Sequence, residues 1–166
     1  MTEYTHITHT FDPVFDEHSR ILILGSLPSV KSREQGFYYG HPQNRFWKVL
    51  AALTQSDVPQ TIQEKKAFLL RSHIAAWDVI SECDIIGSSD ASIKNVTTTD
   101  LSRVLGSCSI KAIFANGATA AKLFDKFQKP IVQRDIITLP STSPANAAFS
   151  LDKLISAWHL ITRYLK

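Results

Sequence analysis

The run Arg20-Ile21-Leu22-Ile23-Leu24-Gly25 decides the fold. Four consecutive aliphatic residues closed by a glycine match a short strand buried on both faces, which is the habit of strands inside a parallel sheet. Other segments repeat the theme. His73–Ile80 predicts a second strand, Lys111–Gly117 a third and Asp135–Leu139 a fourth. Between them lie helical patterns. From Arg45 to Leu53, the residues Phe46, Val49, Leu50 and Leu53 fall on one face. Thr61-Ile62-Gln63-Glu64 has the capping-box form and opens a helix that runs to about Arg71. A short helix is expected at Asp100–Leu105, ending at Gly106. Ala118–Phe127 follows the third strand, and Leu151–Leu165 closes the chain as an amphipathic helix. Strands alternating with helices predict an α/β domain, with a central, mainly parallel four-stranded sheet.

Ser81–Thr99 is polar and irregular and is expected to form a long surface loop. His6, His9 and His18 fall in an N-terminal stretch, residues 1–18, expected to be loosely ordered, with these histidines at the surface. The 166 residues, 44% of them hydrophobic, suffice for one domain spanning 1–166. The net charge of +3 comes from scattered basic residues, so it permits DNA binding without arguing for it. Cys83 and Cys108 lie outside any metal-binding spacing and read as reduced thiols. No signal-peptide pattern opens the chain, and no apolar run approaches the ~20 residues of a membrane span. A cytoplasmic protein, monomeric, without a membrane or an obligate protein partner, is the expectation.

In parallel sheets ligands bind beyond the carboxyl ends of the strands. That rule selects Gly25-Ser26-Leu27-Pro28-Ser29, Asn116-Gly117 and Pro140-Ser141-Thr142-Ser143-Pro144-Ala145-Asn146. On the same edge begins Gly36-Phe37-Tyr38-Tyr39-Gly40-His41-Pro42-Gln43-Asn44-Arg45-Phe46-Trp47. Five of its twelve residues are aromatics suited to stacking, and His41, Asn44 and Arg45 add polar handles, a mixture that fits a flat polar ligand such as a nucleobase. Position alone makes Asn44 a helix cap and His41 a hydrogen-bonded loop residue. The serines at the strand ends lack the G-x-S-x-G elbow of a hydrolase, and the loops lack the glycine-rich phosphate signatures of dinucleotide or triphosphate sites. Their small residues still suit contacts to a phosphodiester backbone.

At these residues the chain resembles the uracil-DNA glycosylase superfamily. Gly36–Val49 is similar to the pocket segment of the mismatch-specific uracil enzymes, approximately G-F-P-F-A-H-P-x-N-R-F-W-K-V, and the order of the two loops also fits. Within the superfamily the chain most resembles the hypoxanthine-DNA (deoxyinosine) glycosylases. The residues that suggest this are Gly25–Ser29, Tyr39–Asn44, Ser89-Asp90-Ala91-Ser92-Ile93-Lys94-Asn95 and Leu139–Asn146. Mismatch-specific uracil enzymes carry G-I-N-P-G after the first strand, and its Asn positions the attacking water. Here Leu27 fills that place, and Leu can neither hold nor polarise water.

The resemblance implies a three-layer α/β/α sandwich and monofunctional hydrolysis of the N-glycosidic bond of a flipped, deaminated base in base excision repair, hypoxanthine first among them. It implies DNA containing deaminated bases as the partner, with no cofactor and no metal. Asn44 becomes the expected catalytic residue, orienting a water toward C1′. Gly25, Ser26, Leu27, Pro28, Tyr39 and His41 are expected to bind the base, Tyr39 by stacking. Ser29, Ser141, Thr142, Ser143 and Asn146 are expected to meet the DNA. Uracil or xanthine as the target base stays open at this point, as does a non-catalytic nucleotide- or DNA-binding module that has kept the fold.

Overall fold

The computed structural model describes residues 3–9, 11–87 and 89–166; Met1, Thr2 and Thr10 of the N-terminal stretch, and Ser88 of the expected 81–99 loop, lie outside the described residues. In chain order the strands are β1 (Thr5–Thr8), β2 (Ile21–Gly25), β3 (Ile74–Asp78), β4 (Ile80–Ile85), β5 (Lys94–Thr98), β6 (Ala112–Asn116) and β7 (Ile136–Leu139). The α-helices are α1 (Val30–Gln35), α2 (Phe46–Thr54), α3 (Ile62–Arg71), α4 (Ser102–Leu105), α5 (Ala118–Leu123), α6 (Lys129–Val132) and α7 (Leu151–Trp158).

The central sheet is parallel throughout, in the order β3-β2-β6-β7. Its middle strand β2 is the Ile21–Leu24 run, which is wholly buried, because β3 and β6 flank its edges and helices cover the sheet. Helix α3 packs on β3, α5 lies on β6 and β7, and α2 packs against α7. This is the expected α/β/α sandwich. Register aligns Gly25 with Asp78, Leu24 with Ala115 and Asn116 with Leu139, so the strand ends form one edge. The capping box of α3 is formed as expected, with Thr61 accepting from the Glu64 N–H and Glu64 reaching back to the Thr61 N–H.

The expected 81–99 loop is instead a hairpin. Strands β1, β4 and β5 make a second, antiparallel sheet with β4 in the middle. Ile80, Cys83 and Ile85 are buried there and gather Ile7, Leu27, Ile93 and Val96 into a small second core. Two register shifts between β4 and β5 break the strict alternation that marks a strand in sequence. The expectation of a loosely ordered N-terminus is likewise corrected. Residues 5–8 pair with β4, and His6 bonds Asp84 at 2.8 Å. His9 is buried rather than at the surface, whereas His18 is exposed as expected. Pro130 explains the early end of α5. It has no N–H to donate and crowds the preceding turn, so residues 124–128 widen into a π turn before α6. The chain's last helix is α-helical only to Trp158, and 159–164 tighten into a 3₁₀ turn.

Candidate active site

A cleft of about 300 Å³ opens at the carboxyl edge of the parallel sheet. Its floor is the end of β2. The chain leaves the sheet through Gly25 and Ser26, whose carbonyls accept from the N–H groups of Val79 and Ile80 at 2.8 and 3.0 Å. Ser29 then caps α1 through its side chain. Leu27 and Pro28 line the cleft, and Leu27 also packs against the second core. That apolar packing gives the position no means of holding a water.

The aromatic segment divides its labour. Phe37, Tyr38, Phe46 and Trp47 are buried in the main core, and the Tyr38 hydroxyl donates to the Asp12 carbonyl at 2.8 Å. Tyr39 is half-buried and lines the cleft. It adopts φ = 50°, a left-handed conformation uncommon for a bulky residue. Phe46 stacks on its ring at a centroid distance of 3.9 Å, and the Trp47 indole N–H donates to its carbonyl at 3.2 Å. The Tyr39 hydroxyl is itself buried and makes no well-formed hydrogen bond among the described residues, with the Asn116 side chain beside it. Burial first, and the nearby Asp78 second, push its ionisation well above the ordinary phenol range, so it keeps its proton.

Asn44 lies one residue before the cap position of α2, yet it does a cap's work. Its Oδ1 accepts from the Phe46 N–H at 2.9 Å. The same oxygen accepts from the Thr142 hydroxyl at 2.8 Å. Thr142 in turn accepts from the Asn116 amide at 3.0 Å, and its N–H donates to Asn116 Oδ1 at 3.0 Å. Only an oxygen can accept from a backbone N–H, so this network fixes which way the Asn44 amide points. Both lone pairs of Oδ1 are spent. What Asn44 can offer a ligand is the pair of hydrogens on Nδ2.

Arg45 builds the facing loop. Its guanidinium donates to the carbonyls of Ser143 at 2.8 Å, Asn146 at 3.1 Å, Thr142 at 3.4 Å and Phe149. Four carbonyls turned toward one cation hold the 140–149 segment in a single shape. The loop's own polar groups are mostly engaged with one another. Ser141 Oγ accepts from the Ser143 N–H, Ser143 Oγ from the Ala145 N–H, and the Asn146 amide donates to the Ser141 carbonyl.

Of the residues anticipated from sequence, Gly25, Ser26, Leu27, Pro28, Ser29, Tyr39, Asn44, Ser141, Thr142 and Ser143 come together around the cleft. His41 and Asn146 do not line it. The His41 ring accepts from the Gln43 N–H at 3.0 Å and closes a local turn. Asn146 spends its amide closing its own loop. Thr142 is fully buried, which removes it from contact with a phosphate and makes it a support for Asn44. Arg33 and Asp78 line the cleft without having been anticipated, and Asn116, expected there only as part of a strand-end loop, joins them. Arg33 brings a cation to the rim, with its Nη1 on the Pro28 carbonyl at 3.0 Å.

Comparison with known proteins fits this arrangement. The family model of the uracil DNA glycosylase superfamily matches residues 13–162. The chain belongs to the uracil DNA glycosylase superfamily. As a superfamily member it carries its cleft where the loops after β2, β6 and β7 meet the aromatic segment. A hypoxanthine DNA glycosylase of Methanosarcina acetivorans is 32% identical over 163 residues, covering 95% of this chain and 99% of that protein. A hypoxanthine DNA glycosylase of Methanosarcina barkeri is 41% identical over 86 residues, 51% of this chain and 54% of the other. A candidate uracil DNA glycosylase of Methanosarcina acetivorans, solved in solution by NMR, superimposes with a TM-score of 0.77 at 31% identity, covering 93% of this chain and 96% of that one. Among the described residues no helix is long and apolar enough to cross a membrane.

Proposed function

We propose that this superfamily member is a monofunctional DNA glycosylase that excises a deaminated base, hypoxanthine foremost, and that residues 1–166 act as one domain. The observation that carries the reading is the Asn44–Thr142–Asn116 chain of hydrogen bonds in a cleft where Leu27 stands in place of a water-holding Asn. The relatives named hypoxanthine DNA glycosylase, one of them matching across 95% of this chain, support hypoxanthine as the base.

In this mechanism the target nucleotide leaves the DNA stack, at a cost of a few kcal/mol that is smallest for mispaired bases. Tyr39, its ring backed by Phe46, meets the base at the cleft floor. The carbonyls of Gly25 and Ser26 are bonded to Val79 and Ile80, so that loop offers the base edge chiefly its N–H groups. The bond from C1′ to the base nitrogen breaks, and its electron pair leaves with the base. Water adds through oxygen to the oxocarbenium-like C1′, and the proton it releases ends on the departing base, directly or through solvent. The products are the free base and an abasic site. Asn44 cannot take that proton, because its oxygen is doubly occupied. Its Nδ2 hydrogens instead hold a water by one lone pair while the other faces C1′. Donation along Asn116, Thr142 and Asn44 polarises that amide in one direction. Positioning and fixed dipoles therefore supply the catalysis. Ser29, Ser141, Ser143 and Arg33 meet the DNA backbone at the rim.

The test is single-turnover excision on oligonucleotides carrying deoxyinosine, deoxyuridine or deoxyxanthosine. The expected result is abasic product, fastest from deoxyinosine. Absence of abasic product from all three would leave a non-catalytic binding module as the better reading.

A further inference from the structure

The reaction proposed above leaves two buried titratable side chains in the cleft region without a task. Asp78 ends β3 and lines the cleft, and His9 follows β1. Both side chains are 4% exposed, and His9 Nε2 lies 2.8 Å from Asp78 Oδ2. The imidazole is wedged against Phe11 and Tyr38, at centroid distances of 4.5 and 5.9 Å, which sets its plane. Asp78's backbone is fixed too, its carbonyl accepting from the Thr99 hydroxyl at 2.7 Å.

The other carboxylate oxygen is free. Oδ1 accepts no hydrogen bond among the described residues and lies over Gly25, where a Cβ would come within 2.4 Å of it. The same Cβ would come within 3.1 Å of the unpartnered Tyr39 hydroxyl. Glycine at this point lets a carboxylate and a phenol share the space above the end of β2. The cleft floor thus presents one oxygen that only accepts beside one hydroxyl able to donate.

We propose that Asp78 reads the extruded base by accepting its ring N–H, and that His9 is the positioning residue that aims the carboxylate. The proposal rests on the glycosylase reading and names what that site selects. Hypoxanthine, uracil and xanthine each display a ring N–H next to a carbonyl. Adenine and cytosine, the parents of hypoxanthine and uracil, display a bare ring nitrogen next to an amino group. Asp78 Oδ1 pairs with the N–H while the Tyr39 hydroxyl donates to the carbonyl. Against adenine the carboxylate faces a lone pair and stays buried without a partner, and sites built on such a hydrogen bond reject analogues lacking it. His9 holds Oδ2, so the carboxylate cannot turn and Oδ1 stays forward. The N-terminal strand is thereby part of the specificity apparatus.

The experiment is equilibrium binding of the full chain to duplexes carrying 2′-fluoro-deoxyinosine or 2′-fluoro-deoxyadenosine, in which the fluorine blocks cleavage. The wild type is expected to prefer the inosine duplex by roughly tenfold or more. In Asp78→Asn the amide can turn its donor to a bare ring nitrogen, and the preference falls to about threefold or less. His9→Ala lowers it similarly, and His9→Gln, whose amide can still donate to Oδ2, restores it. Folded Asp78→Asn and His9→Ala proteins that keep the full preference overturn the proposal. If His9→Ala does not fold, Asp78→Asn with an unchanged preference, or His9→Gln with a lost one, does the same. A wild type that excises deoxyinosine while these variants keep its preference defeats only this inference. A wild type that excises nothing defeats the glycosylase reading beneath it.

Discussion

The two walls of the cleft are built on opposite principles. On one side Asn44, Arg45, Asn116, Thr142 and the 140–149 loop form a network in which nearly every polar group already has a partner. On the other side, above Gly25, Asp78 Oδ1 and the Tyr39 hydroxyl have none among the described residues. Spent hydrogen-bonding capacity holds geometry, whereas spare capacity in a buried position costs stability until a ligand supplies a partner. The first wall should therefore answer to substitution chiefly through stability and catalytic geometry, and the second chiefly through recognition.

Arg45→Met gives the sharpest way to break that contrast. It strands several carbonyls that now share one cation, and should lower unfolding free energy by roughly 3 kcal/mol. Urea denaturation measures this, and a loss below about 1 kcal/mol would mean that the loop holds its shape without the clamp. Thr142→Val keeps the volume but removes the hydroxyl joining Asn116 to Asn44. About 1–3 kcal/mol of stability should go with it, together with an excision rate lower by about tenfold at saturating enzyme, a loss of some 1.4 kcal/mol in the barrier. An unchanged rate in the folded variant would separate Thr142 from the chemistry. Tyr39→Phe belongs to the other wall. Removing a buried hydroxyl that has no partner should leave stability within about 0.5 kcal/mol of the wild type, or raise it, while binding of an inosine-containing duplex weakens. A clear fall in melting temperature would show that the hydroxyl is already satisfied in the free protein.

The legible parts of the sequence were those where one physical signal spoke alone. Ile21–Leu24 announced a doubly buried strand because nothing polar interrupts it, and Thr61–Glu64 announced a helix start because both halves of the capping box are local. The β4–β5 hairpin was illegible because bulges shift its alternation and polar residues fill it. With that hairpin hidden, β1 had no visible partner, and His9 passed for a surface residue. Asp78 was missed for a related reason. The second strand was carried on to Ile80, so its true end at the cleft was not recognised. Arg45 read as a polar handle for a ligand, and its part as a clamp carried no sequence signal, since its partners are carbonyls about a hundred positions away. Thr142 stood among similar hydroxyls, and nothing local says which one turns inward. The cleft's location and most of its lining were readable from strand ends, but the division between holding and recognising groups was not.

The central claim, that a doubly anchored Asn44 positions the water for base excision, is tested most directly by single-turnover cleavage of a deoxyinosine duplex by the wild type and by Asn44→Ala. The wild type should convert the duplex to abasic product, and the folded variant should do so at least about 100-fold more slowly, with only about 1 kcal/mol of stability lost with the helix-start contact. Equal rates from the two proteins would contradict the account and leave Asn44 a cap.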